Sequence, residues 1–263
     1  MEVRGTPVVL VLVLVAALAV PCCYSQGASQ FADFEMGAAI LANPSGVAID
    51  PTNSHLWVAD TLNSRVFQYG PIATLYANSQ PISVLGQTDF VGTNSGRGRS
   101  SMYWPRDVWV DDRGTLWVAD EFNSRILWFH NASSLPNGSN ADGVIGQASF
   151  SSFTTATSRW GLEYPVGVWG NSQTQTLWVS DTANNRVLKY NNFYNLSQLN
   201  TSADAVIGQP SFSSKASPCT ATGLSTPAKM AGMPNGDLYI ADTFNYRVVR
   251  RLFFFSLPMI AWR

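Results

Sequence analysis

The sequence predicts an all-β protein, a β-propeller whose blades are four-stranded antiparallel sheets. Three observations predict this class: an internal repeat of about 60 residues, strand-like composition within each repeat, and a second motif that keeps the same phase. Repetition at such a period is typical of propellers and solenoids. One four-stranded sheet per repeat then favours the propeller, because that sheet is the unit of a propeller blade.

The repeat is clearest in the stretch Leu-Trp-Val-Ala-Asp at 56–60, which returns in closely similar form at 116–120, 177–181 and 238–242. In every copy asparagine follows the aspartate after three residues and arginine follows after five. The pairs are Asp60 and Arg65, Asp120 and Arg125, Asp181 and Arg186, and Asp242 and Arg247. Each pair brackets a short turn, so we interpret it as a scaffold ion pair, with the asparagine in a left-handed turn position. A catalytic interpretation is weaker, because one active site needs unlike residues that converge once.

Each repeat is predicted to contain four strands, which in the first unit cover residues 46–50, 55–60, 65–69 and 83–87. These short runs are rich in Val, Ile, Trp and Tyr, and Asn, Gly, Pro and Ser separate them, which is strand-and-turn composition. The fourth strand carries Val-(Leu/Ile)-Gly-Gln-x-x-Phe at 84–90, 144–150 and 206–212. We interpret its Gly-Gln pair as a close backbone approach with a glutamine hydrogen bond between blades.

A connector of 14 residues follows each copy of that motif, at 91–104, 151–164 and 213–226, and ends at the proline that begins the next unit. Together, Pro-x-x-Val and Leu-Trp-Val-Ala-Asp-Thr-x-Asn-x-Arg-Val resemble the NHL repeat. The Val-Ile-Gly-Gln-x-x-Phe strand is similar to that of secreted members with long repeats. The resemblance covers roughly residues 29–251 and implies a docking or sensing platform. A few related propellers are enzymes, and a fold does not by itself carry a function.

The predicted organisation is a signal peptide (1–25), propeller blades (26–251) and a divergent apolar tail (252–263). The blade units are about 44–104, 105–164, 165–226 and 227–251. A positive flank followed by 13 apolar residues at 8–20 is typical of a secretory signal and is too short to span a membrane. We therefore expect a secreted, extracellular protein with no membrane span after signal removal.

Four N-glycosylation sequons agree with secretion: Asn131, Asn137, Asn195 and Asn200. All four lie in loops between third and fourth strands, in the second and third repeats. Signal removal would leave Cys219 as the single cysteine, which excludes a disulfide-built scaffold. The net charge of −1 excludes a basic footprint for nucleic acid.

The sequence predicts no cofactor and no metal. His55 and His130 fall in different repeats, whereas a zinc site needs three or four converging ligands. A channel calcium site is the nearest alternative, since Asp50, Asp111 and Asn171 hold equivalent inner-strand positions. Met233 holds the fourth such position and breaks the ring.

Function is expected in the segments that differ between repeats. The connectors and the turns between second and third strands share one rim of the blades, and the sequon loops lie on the opposite rim. Candidate ligand contacts on the connector rim are Arg97, Arg99, Tyr103, Trp104, Arg106, Arg159, Trp160, Glu163 and Tyr164. Arginine and aromatic residues are enriched at recognition surfaces. The alternative is that Trp104 and Trp160 only pack between blades.

The fourth unit loses its pattern after Arg247, because an apolar run replaces the Gly-Gln strand. Three interpretations are open. The ring is incomplete and has an open edge, or it closes as four blades with residues 30–34 lending the last strand, or two copies associate edge to edge. A bare phenylalanine run favours the first.

The sequence thus predicts a secreted, non-enzymatic platform that binds a protein or glycan. The alternative is a propeller enzyme, a lyase or lactonase-like hydrolase, that uses a channel metal.

Overall fold

The structure is a computed structural model and describes residues 41–251, all within one compact unit. The predicted signal peptide (1–25), the proposed strand-lending residues 30–34 and the apolar tail (252–263) lie outside the described residues.

The described residues form antiparallel sheets whose strands follow one another in chain order. The first sheet contains β1 (Pro44–Ile49), β2 (His55–Asp60), β3 (Arg65–Pro71) and β4 (Ser83–Leu85). The second contains β5 (Pro105–Val110), β6 (Leu116–Asp120), β7 (Arg125–Phe129) and β8 (Gly143–Ile145). The third contains β9 (Gly167–Asn171), β10 (Thr176–Asp181), β11 (Arg186–Asn191) and β12 (Ala205–Ile207). The fourth contains β13 (Pro227–Gly232), β14 (Leu238–Asp242) and β15 (Arg247–Arg251).

These sheets are the blades of a β-propeller, so the predicted fold class is confirmed. Each predicted strand of the first unit appears within two residues of its expected bounds. The fourth blade differs from the others because its described part has three strands, with β15 at the edge.

The hydrophobic core lies between successive blades. Alternate residues of a strand face opposite sides of its sheet. Trp57 and Val66 therefore pack toward the second blade, where they meet Val108 and Leu127. Val58 lies on the other face of the first blade. A second cluster repeats this packing between the second and third blades, and a third cluster does so between the third and fourth. Burial of large aromatic side chains at each junction is the main force that holds the blades together.

The first strands of the blades lie side by side, β1 against β5, β5 against β9, and β9 against β13. Small residues allow this approach. Trp109 lies over Gly170 so closely that a Cβ there would come within 2.3 Å of its ring. Trp169 lies over Gly232 in the same way. Among the described strands, β13 and β1 are not packed together in this manner.

The Gly-Gln pair joins each fourth strand to the turn at the start of its third strand. Gly146 has φ +91°, and a Cβ there would lie 2.9 Å from the carbonyl oxygen of Ser124. Gln147 Nε2 donates to that same oxygen at 2.9 Å and to the carbonyl of Thr154 at 3.0 Å. The close backbone approach was predicted. The glutamine, however, links the turn of its own blade to the following connector, whereas the sequence suggested a hydrogen bond between blades.

Candidate functional site

A one-turn 3-10 helix joins the second and third strands of every blade. Its bounds are Thr61–Asn63, Glu121–Asn123, Thr182–Asn184 and Thr243–Asn245. The next residue in each case has left-handed backbone, with φ between 50° and 53°: Ser64, Ser124, Asn185 and Tyr246. The prediction that the asparagine itself is left-handed was therefore wrong. The asparagine ends the 3-10 turn, and its side chain serves the ion pair instead.

The four aspartate–arginine pairs are all in contact. Asp120 Oδ2 accepts from Arg125 Nε at 2.6 Å and from Asn123 Nδ2 at 2.9 Å, while Oδ1 accepts from the Tyr103 amide at 2.7 Å. Asp60, Asp181 and Asp242 make the equivalent bonds to Arg65, Arg186 and Arg247.

Burial is the largest influence on the pKa of the carboxyl group in two of these pairs, those of Asp120 and Asp181. It raises the pKa of Asp120, and it raises the pKa of Asp181 to about 6, while the paired arginine opposes the shift in both cases. The arrangement is a satisfied structural unit with no carboxylate oxygen directed at a ligand.

In the second, third and fourth blades, the arginine of the pair also holds the connector that precedes its blade. Arg125 Nη2 donates to the carbonyls of Gly98 and Ser101, at 3.1 and 2.8 Å. Arg186 Nη2 makes the same two bonds to Ser158 and Gly161. The rim segments are therefore fixed to the blade that follows them.

Two predicted ligand residues, Arg99 and Arg159, take part in this attachment. Arg99 donates through Nε and Nη2 to the carbonyl of Ala141 and lies over the Phe150 ring at 4.5 Å. Arg159 makes the same bonds to Ala203 and lies over the Phe212 ring at 4.7 Å. We assign both to blade packing, because identical contacts in two repeats indicate a scaffold role.

Aromatic side chains gather on the connector rim between the second and third blades. We call Tyr103, Trp104, Phe122 and Tyr164 the aromatic cluster. Phe122 is its centre, with ring centroids 5.1 Å from Tyr103, 4.5 Å from Trp104 and 5.4 Å from Tyr164. Phe122 and Tyr164 are 36% and 39% exposed.

Sequence reasoning missed Phe122, which lies two residues after Asp120. Its signal was present, because the equivalent positions hold Leu62, Ala183 and Phe244 and so vary between repeats.

The backbone under the cluster is unusual. Trp104 and Tyr164 immediately precede the blade prolines and have φ of 57° and 50°. Asn43 and Thr226 hold the equivalent positions in the first and fourth blades, with φ of 52° and 50°. Asparagine tolerates left-handed backbone, whereas a bulky side chain there costs about 1 kcal/mol or more. The left-handed backbone itself belongs to the scaffold, since all four blades share it. Aromatic side chains at two of these positions carry a cost that asparagine would avoid, which favours a role for them other than stability.

A group of paired charges adjoins the cluster. Arg106 lies 3.0 Å from Glu121, and Lys229 of the fourth blade lies 2.6 Å from Asp107 of the second. Lys229 also donates to the carbonyl of Arg106 at 2.6 Å. Burial raises the pKa of Glu121, opposed by Arg106 and Lys229. Burial likewise raises the pKa of Asp107, opposed by Lys229 and the Val168 amide. The group is balanced in charge and ties non-adjacent blades together.

The remaining predicted rim residues lie apart from the cluster's ring contacts. Arg97 stacks over the Phe153 ring at 3.4 Å. Trp160 is 55% exposed. Glu163 forms an exposed ion pair with Lys215 at 3.5 Å. The structure therefore brings Tyr103, Trp104 and Tyr164 together through Phe122, with Arg106 held beside them by Glu121.

The opposite rim carries the sequons. Asn131, Asn137, Asn195 and Asn200 are all exposed, in the loops that leave the far ends of β7 and β11. The Asn137 side chain keeps one internal bond, since its Oδ1 accepts from the Val84 amide at 3.0 Å. Its Nδ2, the atom that a glycan would modify, has no protein partner among the described residues.

The three positions of the alternative calcium site serve other contacts. Asp50 accepts from Thr52 and from Ser133 of the next blade. Asp111 accepts from backbone amides of its own turn and from the Trp117 indole. Asn171 Nδ2 donates to carbonyls of the fourth blade at 3.3 Å. Within residues 41–251 no three His, Cys, Asp or Glu side chains come together in a way that could hold a metal ion.

The family model of the NHL repeat matches residues 41–69. No curated protein matches the chain. The matched segment contains β1, β2 and the first aspartate–arginine pair, the elements that every blade repeats. No helix in the described part is long and apolar enough to span a membrane.

Proposed function

We propose that this chain, an NHL-repeat β-propeller, is a secreted and N-glycosylated platform that binds a protein or glycan ligand at the aromatic cluster. It acts by recognition and carries no catalytic centre in this proposal. The ligand is expected to stack on Trp104 and Tyr164 and to reach Arg106 at the side of the cluster.

The observation that carries the proposal is the partly exposed aromatic cluster on one rim. By contrast, the large aromatic residues at the blade junctions, such as Trp57, Trp117 and Tyr190, are buried between sheets. Exposed aromatic rings next to an arginine supply the stacking surface and hydrogen-bond donors on which recognition sites depend. Left-handed backbone at Trp104 and Tyr164 adds to the case, because those positions would be more stable without them.

The charged groups beside the cluster suit binding better than catalysis. Glu121 and Asp107 are the carboxylates of the charged group beside the cluster, and each already pairs with a cation. General acid–base catalysis needs a group that is free to exchange a proton with a substrate. The repeated aspartates are fully occupied by backbone and side-chain donors, as described above.

Exposure of all four sequons supports the proposal of secretion with N-glycosylation, and glycans at these sites would lie on the rim opposite the cluster. Glycans there would leave the connector rim open to a ligand. Expression in secreting cells tests this directly: the protein should appear in the medium and gain mobility on gels after glycosidase treatment. Retention of an unglycosylated protein inside the cells would contradict this part of the proposal.

The binding site is tested with the double variant Trp104→Ala/Tyr164→Ala. The soluble protein is applied to a glycan array. In a separate assay, the immobilised protein is exposed to the secreted proteins of the cells that express it. We expect bound ligands to be lost, or weakened at least about tenfold, in the double variant. Tyr76→Ala is the matched control, because Tyr76 is 70% exposed but lies in the loop between β3 and β4, away from the cluster. Equal binding by all three proteins would exclude the cluster.

A further inference from the structure

Within residues 41–251, the edge of the fourth blade lacks two contacts that each of the first three blades makes with its fourth strand, and the neighbouring third blade lacks one more. In the first three blades, Nη1 of the paired arginine donates to the carbonyl of the motif phenylalanine: Arg65 to Phe90, Arg125 to Phe150 and Arg186 to Phe212. In the fourth blade, Arg247 uses Nε for Asp242 and Nη2 for two connector carbonyls. Its Nη1 has no acceptor among the described residues.

The left-handed turn residue shows the second missing contact. The carbonyls of Ser64, Ser124 and Asn185 each accept from the motif glutamine of their own blade. Tyr246 holds this position in the fourth blade, and no donor to its carbonyl lies within residues 41–251. Tyr246 is also 94% exposed, against 1% and 0% for Ser64 and Ser124.

The third missing contact lies on the neighbouring blade. The motif valine of one blade packs against the motif leucine or isoleucine of the blade before it, as Val144 and Leu85 share a core cluster. Leu85 and Ile145 are fully buried, whereas Ile207 of the third blade is only half-buried. A valine at the edge of the fourth blade would cover Ile207.

We infer that the edge formed by β15 is a docking site for an extended strand with the sequence Val-(Leu/Ile)-Gly-Gln-x-x-Phe from another polypeptide. The strand would pair with β15 as β4 pairs with β3, which is addition of a strand to an exposed sheet edge. Its glutamine would donate to the Tyr246 carbonyl, its phenylalanine carbonyl would accept from Arg247, and its valine would cover Ile207. Glycine is required before the glutamine, since Gly86, Gly146 and Gly208 all have φ +91° against the turn.

A second copy of the chain is a poorer occupant of this edge. Its three motif strands are already paired within their own sheets. Two β15 strands could pair with each other, but an antiparallel arrangement would bring Arg247 and Arg251 of one strand opposite arginines of the other. Like charges placed directly opposite each other destabilise a strand pair. A partner that supplies the neutral motif avoids this repulsion.

The test uses a fluorescent synthetic peptide with the sequence of residues 203–212, Ala-Asp-Ala-Val-Ile-Gly-Gln-Pro-Ser-Phe, and the full chain. We expect saturable binding by fluorescence anisotropy and a higher thermal unfolding midpoint. Two control peptides carry the changes G208V and Q209A. Each should bind at least about tenfold more weakly, because one clashes with the turn and the other loses a hydrogen bond.

A variant of the protein adds a second measurement. Arg247→Lys keeps the charge near Asp242 but removes the Nη1 donor, so it should weaken peptide binding about tenfold. Arg113→Lys, on the opposite rim, is the matched control and should bind as the parent does. Absence of peptide binding, or equal binding of the parent and control peptides, would overturn the inference. Dimers that form at micromolar concentration and that the peptide does not dissociate would also overturn it, in favour of a second copy at this edge.

Discussion

The first three blades and the fourth contain the same ion pair in different surroundings. Arg125 and Arg186 are fully buried, whereas the side chain of Arg247 is 30% exposed, although its distance to Asp242 is the usual 2.7 Å. The pair itself needs only the turn between the second and third strands, which is local. Its burial needs a fourth strand and the connector that follows, which are distant in sequence. The turn alone is therefore sufficient to form the ion pair, whereas burial of the pair depends on packing of the fourth strand and the connector.

The largest expected effect breaks the pair where it is buried. Asp120→Ala should lower the free energy of unfolding by about 3–5 kcal/mol, because it leaves Arg125 as an unpaired charge in the core. Asp242→Ala should cost only about 1 kcal/mol, since solvent already reaches Arg247. Urea denaturation of both variants measures the difference. Equal losses would mean that burial contributes nothing to the pair.

The next effect concerns the fourth strand. Gly146→Ala should cost about 2–4 kcal/mol, because its backbone has φ +91° and the added Cβ would lie 2.6 Å from Leu162. Gly98→Ala is the matched control, since a Cβ there meets nothing closer than 3.5 Å. Thermal unfolding of the two variants gives the comparison. A stable Gly146→Ala protein would show that the fourth strand can move away from the turn.

A smaller effect is expected at the connector. Arg159→Ala should cost about 1–2 kcal/mol through loss of its bonds to Ala203. Ala221 holds the equivalent position before the fourth blade, and Ala221→Arg should leave stability unchanged, because the described part of that blade offers no matching alanine carbonyl or phenylalanine ring. Chemical denaturation checks both. Stabilisation by Ala221→Arg would show that the fourth blade has such a partner after all.

The smallest effect is at the aromatic cluster. Trp104→Asn relieves left-handed backbone strain but removes contacts with Tyr103 and Phe122, so the free energy of unfolding should change by less than about 1 kcal/mol. Ligand binding should nevertheless fall. A large loss of stability in denaturation would instead assign Trp104 to the scaffold, as the blade-packing alternative proposed.

Most of the scaffold could be predicted because each blade repeats it at fixed spacing. The strand bounds and the contact between Asp120 and Arg125 followed from the repeat alone. Which residue of the turn has left-handed backbone could not be predicted from the repeat. Asn123 and Ser124 are both acceptable left-handed residues, and only the observed backbone distinguishes them. The carbonyl acceptors of the arginines were also hidden, because a backbone oxygen leaves no mark in sequence.

The roles of the connector-rim residues were harder to predict, because their partners are also backbone carbonyls. Arg99 and Arg159 looked like variable ligand contacts, yet each lies nine residues after a motif phenylalanine, at Phe90 and Phe150. That shared offset was the available sign of a scaffold role. Phe122 was harder still, because it is a single variable residue inside a turn whose other residues repeat from blade to blade. Its packing against the connector depends on tertiary contacts that no local pattern records.

Attachment of each connector to the following blade has a consequence during protein synthesis. Arg99 bonds to Ala141, 42 positions later, and Arg159 bonds to Ala203, 44 positions later. At ribosomal elongation rates each connector therefore waits about 2–9 s for its acceptor to be made. All strands of a nascent blade are therefore made before its connector is attached to the following blade. During that interval the face that will pack against the following blade is exposed to chaperones and to other unfinished chains.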